Sequence, residues 1–228
     1  MKHLFNLSIY LIFSHACIAQ ADNQGQQSLL QLGLRSDETN ELGENDNVIV
    51  EGTPFLFDEF KNGWILLNQN QDTIGNVRIR LSLLGDILEW EKTPGQRLQL
   101  QLKPIEAFGI EKEGGSYQVF LNTTLFKDSE LSGFVETIYT GGKASVFLKH
   151  KIEKDIKEPE PYGPTKTTIT FRKSATAYIL KSGQLARMKN KKEYKEITKK
   201  YGLKAEKIKS SDLEEPAFLQ KFGAELDQ

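Results

Sequence analysis

From Asn47 to Lys189 the chain consists of short β-capable runs separated by turn residues. The cleanest runs have a period of two: Val77, Ile79, Leu81 and Leu83 alternate with Arg78, Arg80 and Ser82, and Leu98, Leu100 and Leu102 alternate with Gln99 and Gln101. Successive strand side chains point to opposite faces, so each run keeps one face dry and the other wet. The pattern predicts strands at 47–51, 64–68, 74–83, 87–91, 97–102, 105–110, 117–121, 134–140, 143–152, 167–173, 177–181 and 185–189. Turn residues mark the gaps at 69–72, Gly85-Asp86, Pro94-Gly95, Gly114-Gly115, Gly141-Gly142 and Ser182-Gly183. This is a mainly β chain, an antiparallel meander. A sheet of so many strands does not stay flat, so closure as a roll or barrel, or as a two-layer sandwich, is expected.

Beyond residue 190 the period changes. Tyr194, Ile197 and Tyr201 recur at helical spacing within KKEYKEITKKY, and Gly202 supplies a stop. A second short helix is expected from Ser211 to about Leu226, since Ser211 and Glu214 have capping-box spacing, with Pro216 delaying its regular part. Its residues Ala217, Phe218, Leu219, Phe222 and Leu226 are the ones to dock on the sheet. The organisation read from the chain is a signal segment at 1–21, a disordered leader at 22–46, a β-rich domain at 47–189 and a helical tail at 190–228 packed on that domain.

The start of the chain decides the compartment. Lys2 and His3 precede an apolar run from Leu4 to Phe13, and Ala19-Gln20-Ala21 has the small-x-small form of a cleavage site, so the sequence predicts export. The run is far short of the roughly 20 apolar residues of a membrane-spanning helix. Cleavage after Ala21 removes the single cysteine, Cys17, and leaves His150 as the one histidine of the mature chain. Disulfides, thiol chemistry and Cys/His zinc sites are then excluded, and no cofactor or metal is expected. Lipidation at Cys17 would instead tether the protein, but Ser14 and His15 stand where lipoprotein signals carry apolar or small residues. The expected location is the periplasm or cell envelope.

A formal net charge of −1 conceals strong segregation. Residues 22–140 hold 9 basic against 19 acidic side chains, and residues 141–209 hold 19 against 7. Such a split serves either packing of the two parts on each other or display of a basic face to an anionic partner. The basic stretch from Arg187 to Lys209 is the strongest functional signal, with Lys189, Lys191, Lys192, Lys195, Lys199 and Lys200 as candidate binding residues. Lysine far outnumbers arginine there and the aromatics fall on the helix's apolar side, which suits an anionic membrane surface and argues against nucleic acid. Tyr162, among three prolines in EPEPYGPTK, is a further binding candidate on a stiff loop.

Catalytic candidates are few. Glu89 and Glu91, two apart on one strand, share a face, and paired carboxylates serve glycoside hydrolysis; Trp90 falls on the opposite face. Asp58-Glu59, set among Phe55, Phe57 and Phe60, reads as a structural start to the domain in which Pro54 and the aromatics seal the end of the sheet and Asp58 caps backbone groups. His150 shares a face with Val146 and Leu148 and reads as a hydrogen-bonded strand residue.

The segments GTPFLFDEFKNGWILL, VRIRLSLLGDILEW, FVETIYTGGKASVFLKHKI and AYILKSGQLARMKNKKEYKEI resemble a loose family of uncharacterised exported proteins of Bacteroidota-type bacteria. Gly52, Pro54, Asp58, Glu59 and Phe60 fit that family's opening motif; Arg80, Asp86, Glu89 and Trp90 fit its hairpin loosely. The resemblance implies export and a β-rich domain with a lysine-rich helix, and no activity. The expected function is a noncatalytic binding or structural module of the cell envelope, its partner an envelope protein, a glycan or an anionic membrane surface; the alternative is a glycan-directed hydrolase using Glu89 and Glu91.

Overall fold

A computed structural model describes residues 47–68, 72–126, 131–159 and 166–228. The signal segment with Cys17, the leader and Tyr162 lie outside these residues. Within them the strands are β1 (Val48–Glu51), β2 (Lys61–Leu67), β3 (Thr73–Ser82), β4 (Ile87–Thr93), β5 (Gln96–Leu100), β6 (Ile105–Glu111), β7 (Tyr117–Asn122), β8 (Phe134–Thr140), β9 (Ala144–Lys157), β10 (Thr167–Lys181) and β11 (Gln184–Met188). Helices α1 (Lys191–Lys200) and α2 (Pro216–Asp227) follow, with 3-10 turns at Thr123–Leu125 and Ser211–Glu214.

The protein is mainly β with two short C-terminal helices, as the pattern predicted. All the strands belong to one sheet in the order β1-β10-β9-β8-β7-β6-β2-β3-β4-β5, and β11 also pairs with β10. The meander is antiparallel throughout except where β1 runs parallel to β10, Val48 opposite Thr167. Two expected strands, 167–173 and 177–181, are one: β10 continues through Ser174, Ala175 and Thr176 because each pairs with a β9 residue.

The sheet curls without closing into a barrel. Laid flat, β9 and β3 would be five strand spacings apart, roughly 24 Å. Yet Lys149 Nζ on β9 is 2.5 Å from Asp86 Oδ1 in the β3–β4 turn. The curl puts Ile65, Ile79, Leu88, Trp90, Phe108, Phe120 and Phe134 into one core on the inner face, reached also by Ile152 of β9. The same inner face continues across β8–β11, where Val146, Leu148, Ala177, Ile179 and Met188 pack on Tyr194, Ile197, Leu213, Leu219, Phe222 and Leu226. Both helices pack on the β8–β11 half of the sheet, and at its far edge β5 pairs with β4 alone. A smaller cluster, Val135, Phe147, Tyr178 and Leu131, lies on the outer face.

Both helices have local reasons for their limits. The Asn190 side chain accepts hydrogen bonds from the N–H groups of Lys192 and Glu193, capping α1. Gly202 follows at φ 69°, a left-handed position that suits glycine after a helix end. The Ser211–Glu214 box does not start α2; that stretch forms its own 3-10 turn, and Pro216 opens the helix. The Asp227 carboxylate accepts from the N–H groups of Gly142, Lys143 and Ala144, fastening the end of α2 to the β8–β9 turn.

Candidate functional site

Glu89 and Glu91 do share a face of β4, with Trp90 buried on the other. Neither is free for acid–base work. β3 pairs with β4 so that Arg80 stands opposite Glu89 and Arg78 opposite Glu91. Arg80 donates to Glu89 Oε2 from Nη2 at 2.7 Å and from Nε at 3.2 Å, with both side chains buried. The Arg80 guanidinium also lies 3.3 Å from the centre of the Phe55 ring and 4.5 Å from that of Phe60, and donates from Nη1 to the Asp58 carbonyl. This arrangement pins the 52–60 segment to the sheet. Arg78 donates to Glu91 at 2.7 Å on the surface.

The 54–56 segment runs alongside the end of β3: Leu83 N–H donates to the Pro54 carbonyl, Leu56 N–H donates to the Leu81 carbonyl, and Phe55 forms an isolated antiparallel bridge with Ser82. Among the described residues the Asp58 carboxylate caps no backbone group; it is exposed and lies 3.7 Å from Lys173.

His150 has a partner that composition hid. Its Nε2 lies 2.7 Å from Glu136 Oε2, and the Glu136 side chain is 3% exposed. The pair sits on the inner face where the two cores meet, beside Phe120. The available signal was the alternation of Phe134, Glu136 and Ile138, which puts a carboxylate on a core-facing position. On the opposite face Lys149, also buried, holds Asp86 and donates to the Phe134 carbonyl. Burial pushes the Lys149 ammonium below the ordinary lysine range against the opposing pull of Asp86. Each of these is an ion pair between strand neighbours or across the curl.

The lysines predicted to bind are brought together by α1. Tyr194, Ile197 and Thr198 are buried beneath the helix, so its other side is held outward. A shallow groove there is lined by Lys191, Lys192, Lys195, Glu196 and Lys199. Lys191, Lys195 and Lys199 follow each other at intervals of four and lie on one stripe. None of the three has an ion-pair or side-chain hydrogen-bond partner among the described residues. Lys192 is 4.0 Å from Glu196.

Lys189 is exposed ahead of the helix, and its backbone N–H donates to Glu193. Burial pushes the Glu193 carboxyl up, but the Lys189 N–H and the Arg187 guanidinium outweigh it and hold the group below the usual carboxylate range. Lys200 stands apart from the stripe, donating to Gln184 and lying over the Tyr201 ring. Exposed Lys204, Lys207 and Lys209 extend the basic surface beyond the helix.

Among the described residues no helix is long and apolar enough to cross a membrane, and no three His, Cys, Asp or Glu side chains gather as metal ligands. No protein-family model matches the chain, and no curated protein or solved structure is similar enough to count as a match.

Proposed function

We propose that the protein is a noncatalytic binding module of the cell envelope that engages an anionic membrane surface through the lysine face of α1. The observation that carries this reading is the stripe of Lys191, Lys195 and Lys199, exposed, unpaired among the described residues and set on a helix whose opposite side is packed into the core. A cation already held in an ion pair gains little from a second anion; three unpaired lysines on a rigid helix keep their charge for a ligand. The signal segment supports an exported setting. The hydrolase alternative has no such support, because Glu89 and Glu91 are spent on Arg80 and Arg78.

The test is co-sedimentation with vesicles of phosphatidylcholine containing phosphatidylglycerol, against vesicles of phosphatidylcholine alone. Each lysine near an anionic surface contributes about 1 kcal/mol, so replacing Lys191, Lys192, Lys195 and Lys199 by Gln removes about 4 kcal/mol, close to a thousandfold in affinity. Binding is expected at low salt and to fall as the Debye length shortens. Equal binding to neutral vesicles, or undiminished binding by the four-lysine variant, refutes the proposal.

A further inference from the structure

On the outer face of β2, β6 and β7 an aromatic side chain lies where the inner cores have no use for it. Trp64 of β2 is directly opposite Gly109 of β6. A Cβ on Gly109 would collide with the indole atoms Nε1, Cε2 and Cζ2, so the indole crosses over the neighbouring strand and lies on its backbone. Glycine there costs strand stability and leaves the space that the ring takes. With one side of the indole against the strand, Trp64 is half-buried although it belongs to neither inner core. Tyr117 of β7 stands beside it at 64° with ring centres 6.4 Å apart, forming a wall.

Polar groups border this platform on one side. Asn62, two residues before Trp64, and Glu111, two after Gly109, share the outer face by strand alternation; Glu111 is opposite Tyr117 and Asn62 opposite Arg78. Neither Asn62 nor Glu111 has a hydrogen-bond or ion-pair partner among the described residues. We infer that Trp64, Tyr117, Asn62 and Glu111 form a binding site for a neutral saccharide ring.

The charge distribution fits that ligand. An aromatic face is electron-rich, and the C–H bonds on the flat side of a pyranose are polarised with their hydrogens positive. The hydroxyls around the ring's edge need donors and acceptors at the platform's border, which the Asn62 amide and the Glu111 carboxylate supply. This site lies on the outer face of the sheet, apart from the lysine helix packed on the inner one, and does not depend on the membrane reading.

The experiment is titration of the full chain with the β-1,4-linked tetramers of glucose and of N-acetylglucosamine, followed by the indole Nε1–H resonances in an NMR spectrum. Two tryptophans are present, and Trp90, 3% exposed, is an internal control. A saturable shift of the Trp64 signal with either sugar, while Trp90 stays still, is expected in the millimolar range. Trp64→Ala is expected to weaken binding about tenfold or more, and Trp64→Phe to keep part of it. Asn62→Ala changes an exposed side chain that the fold does not need, and is expected to weaken binding severalfold, which keeps the test decisive if Trp64→Ala misfolds. An unmoved Trp64 signal with both sugars at about 10 mM overturns the proposal. So does a Trp64 shift that follows protein concentration without sugar, which would make the platform a contact between two copies of the chain.

Discussion

Replacing Glu89 by Gln separates a structural carboxylate from a catalytic one. The Arg80 and Glu89 side chains are 9% and 4% exposed, and one carboxylate oxygen takes two of the guanidinium's N–H bonds. Gln preserves the shape and one acceptor but leaves the Arg80 charge buried without a counter-charge. Breaking a buried pair from one side costs about 3–5 kcal/mol. Arg80 would keep the Asp58 carbonyl and the Phe55 and Phe60 rings, which places the cost at the lower end, about 3 kcal/mol. In urea unfolding this moves the midpoint down by roughly 1–1.5 M at an unchanged slope. Glu91→Gln breaks a pair whose arginine is 55% exposed, and is expected to cost about 0–1 kcal/mol. The double change Arg80→Met with Glu89→Leu removes both charges together and is expected to lie within about 2 kcal/mol of the parent, well short of additivity. If Glu89→Gln and Glu91→Gln shift the midpoint equally, or if Glu89→Gln leaves stability intact, the buried-pair argument fails.

Three further outcomes are expected. The N–H group of Lys143, then those of Ala144 and Gly142, hold the Asp227 carboxyl below the usual carboxylate range against desolvation; a depressed acid stabilises above its unfolded value near 4 and loses that contribution as pH falls through the lowered value. Hydrogen-exchange protection of the 142–144 amides should therefore persist to about pH 4 and collapse below it, and be absent at all pH in Asp227→Ala. Burial depresses the Lys149 ammonium, so between its lowered value and about 10.4 the unfolded chain binds more protons and stability rises with pH. Lys149→Met should flatten the rise of the urea midpoint as pH approaches about 10.4 from below, relative to the parent; an identical slope refutes the assignment. Gly63→Ala would drive a Cβ into the Gly109 carbonyl and the Ile79 side chain and should cost about 1–3 kcal/mol, whereas Gly142→Ala meets nothing within 4 Å and should stay within about 0.5 kcal/mol, both read from thermal midpoints.

What was legible in the chain was local. Val77, Ile79 and Leu81 alternate because one face of β3 is dry, and the same rule placed Leu98 and Leu100 and set Trp90 apart from Glu89 and Glu91. Tyr194 and Ile197 announced α1 by their spacing. Where two strands meet through a short turn, register was also within reach: a turn around Gly85-Asp86 sets Arg80 against Glu89 and Arg78 against Glu91, a pairing that would have withdrawn both glutamates from catalysis.

The remainder depended on contacts distant in sequence. Nothing local shows that β1 joins β10 across more than a hundred residues, or that α1 and α2 pack on the inner face of β8–β11. The Ser174–Thr176 stretch has one small apolar residue, Ala175, between two hydroxyl side chains and reads as a break, but a strand is kept by its hydrogen-bonded neighbour as much as by its side chains.

The charge segregation acquires a physical meaning from these pairings. The basic half of the chain does not neutralise the acidic half as a block. Arg78 and Arg80 come from the acidic half itself and meet Glu91 and Glu89 there; Lys149 and His150 cross to Asp86 and Glu136, and Lys173 to Asp58. The cations that take part lie on β3, β9 and β10: Arg78, Arg80 and His150 meet acids on the neighbouring strand, and Lys149 reaches Asp86 across the curl. Helix α1 meets the body through the buried Tyr194, Ile197 and Thr198 and through Lys200, which donates to Gln184; its acids Glu193 and Glu196 are engaged by Arg187 of β11 and by Lys192. Five of the cations of residues 141–209 are thus carried on α1, while others, among them Lys151, Lys154 and Lys157, lie exposed along β9, so the basic half is solvated on more than one element of the fold.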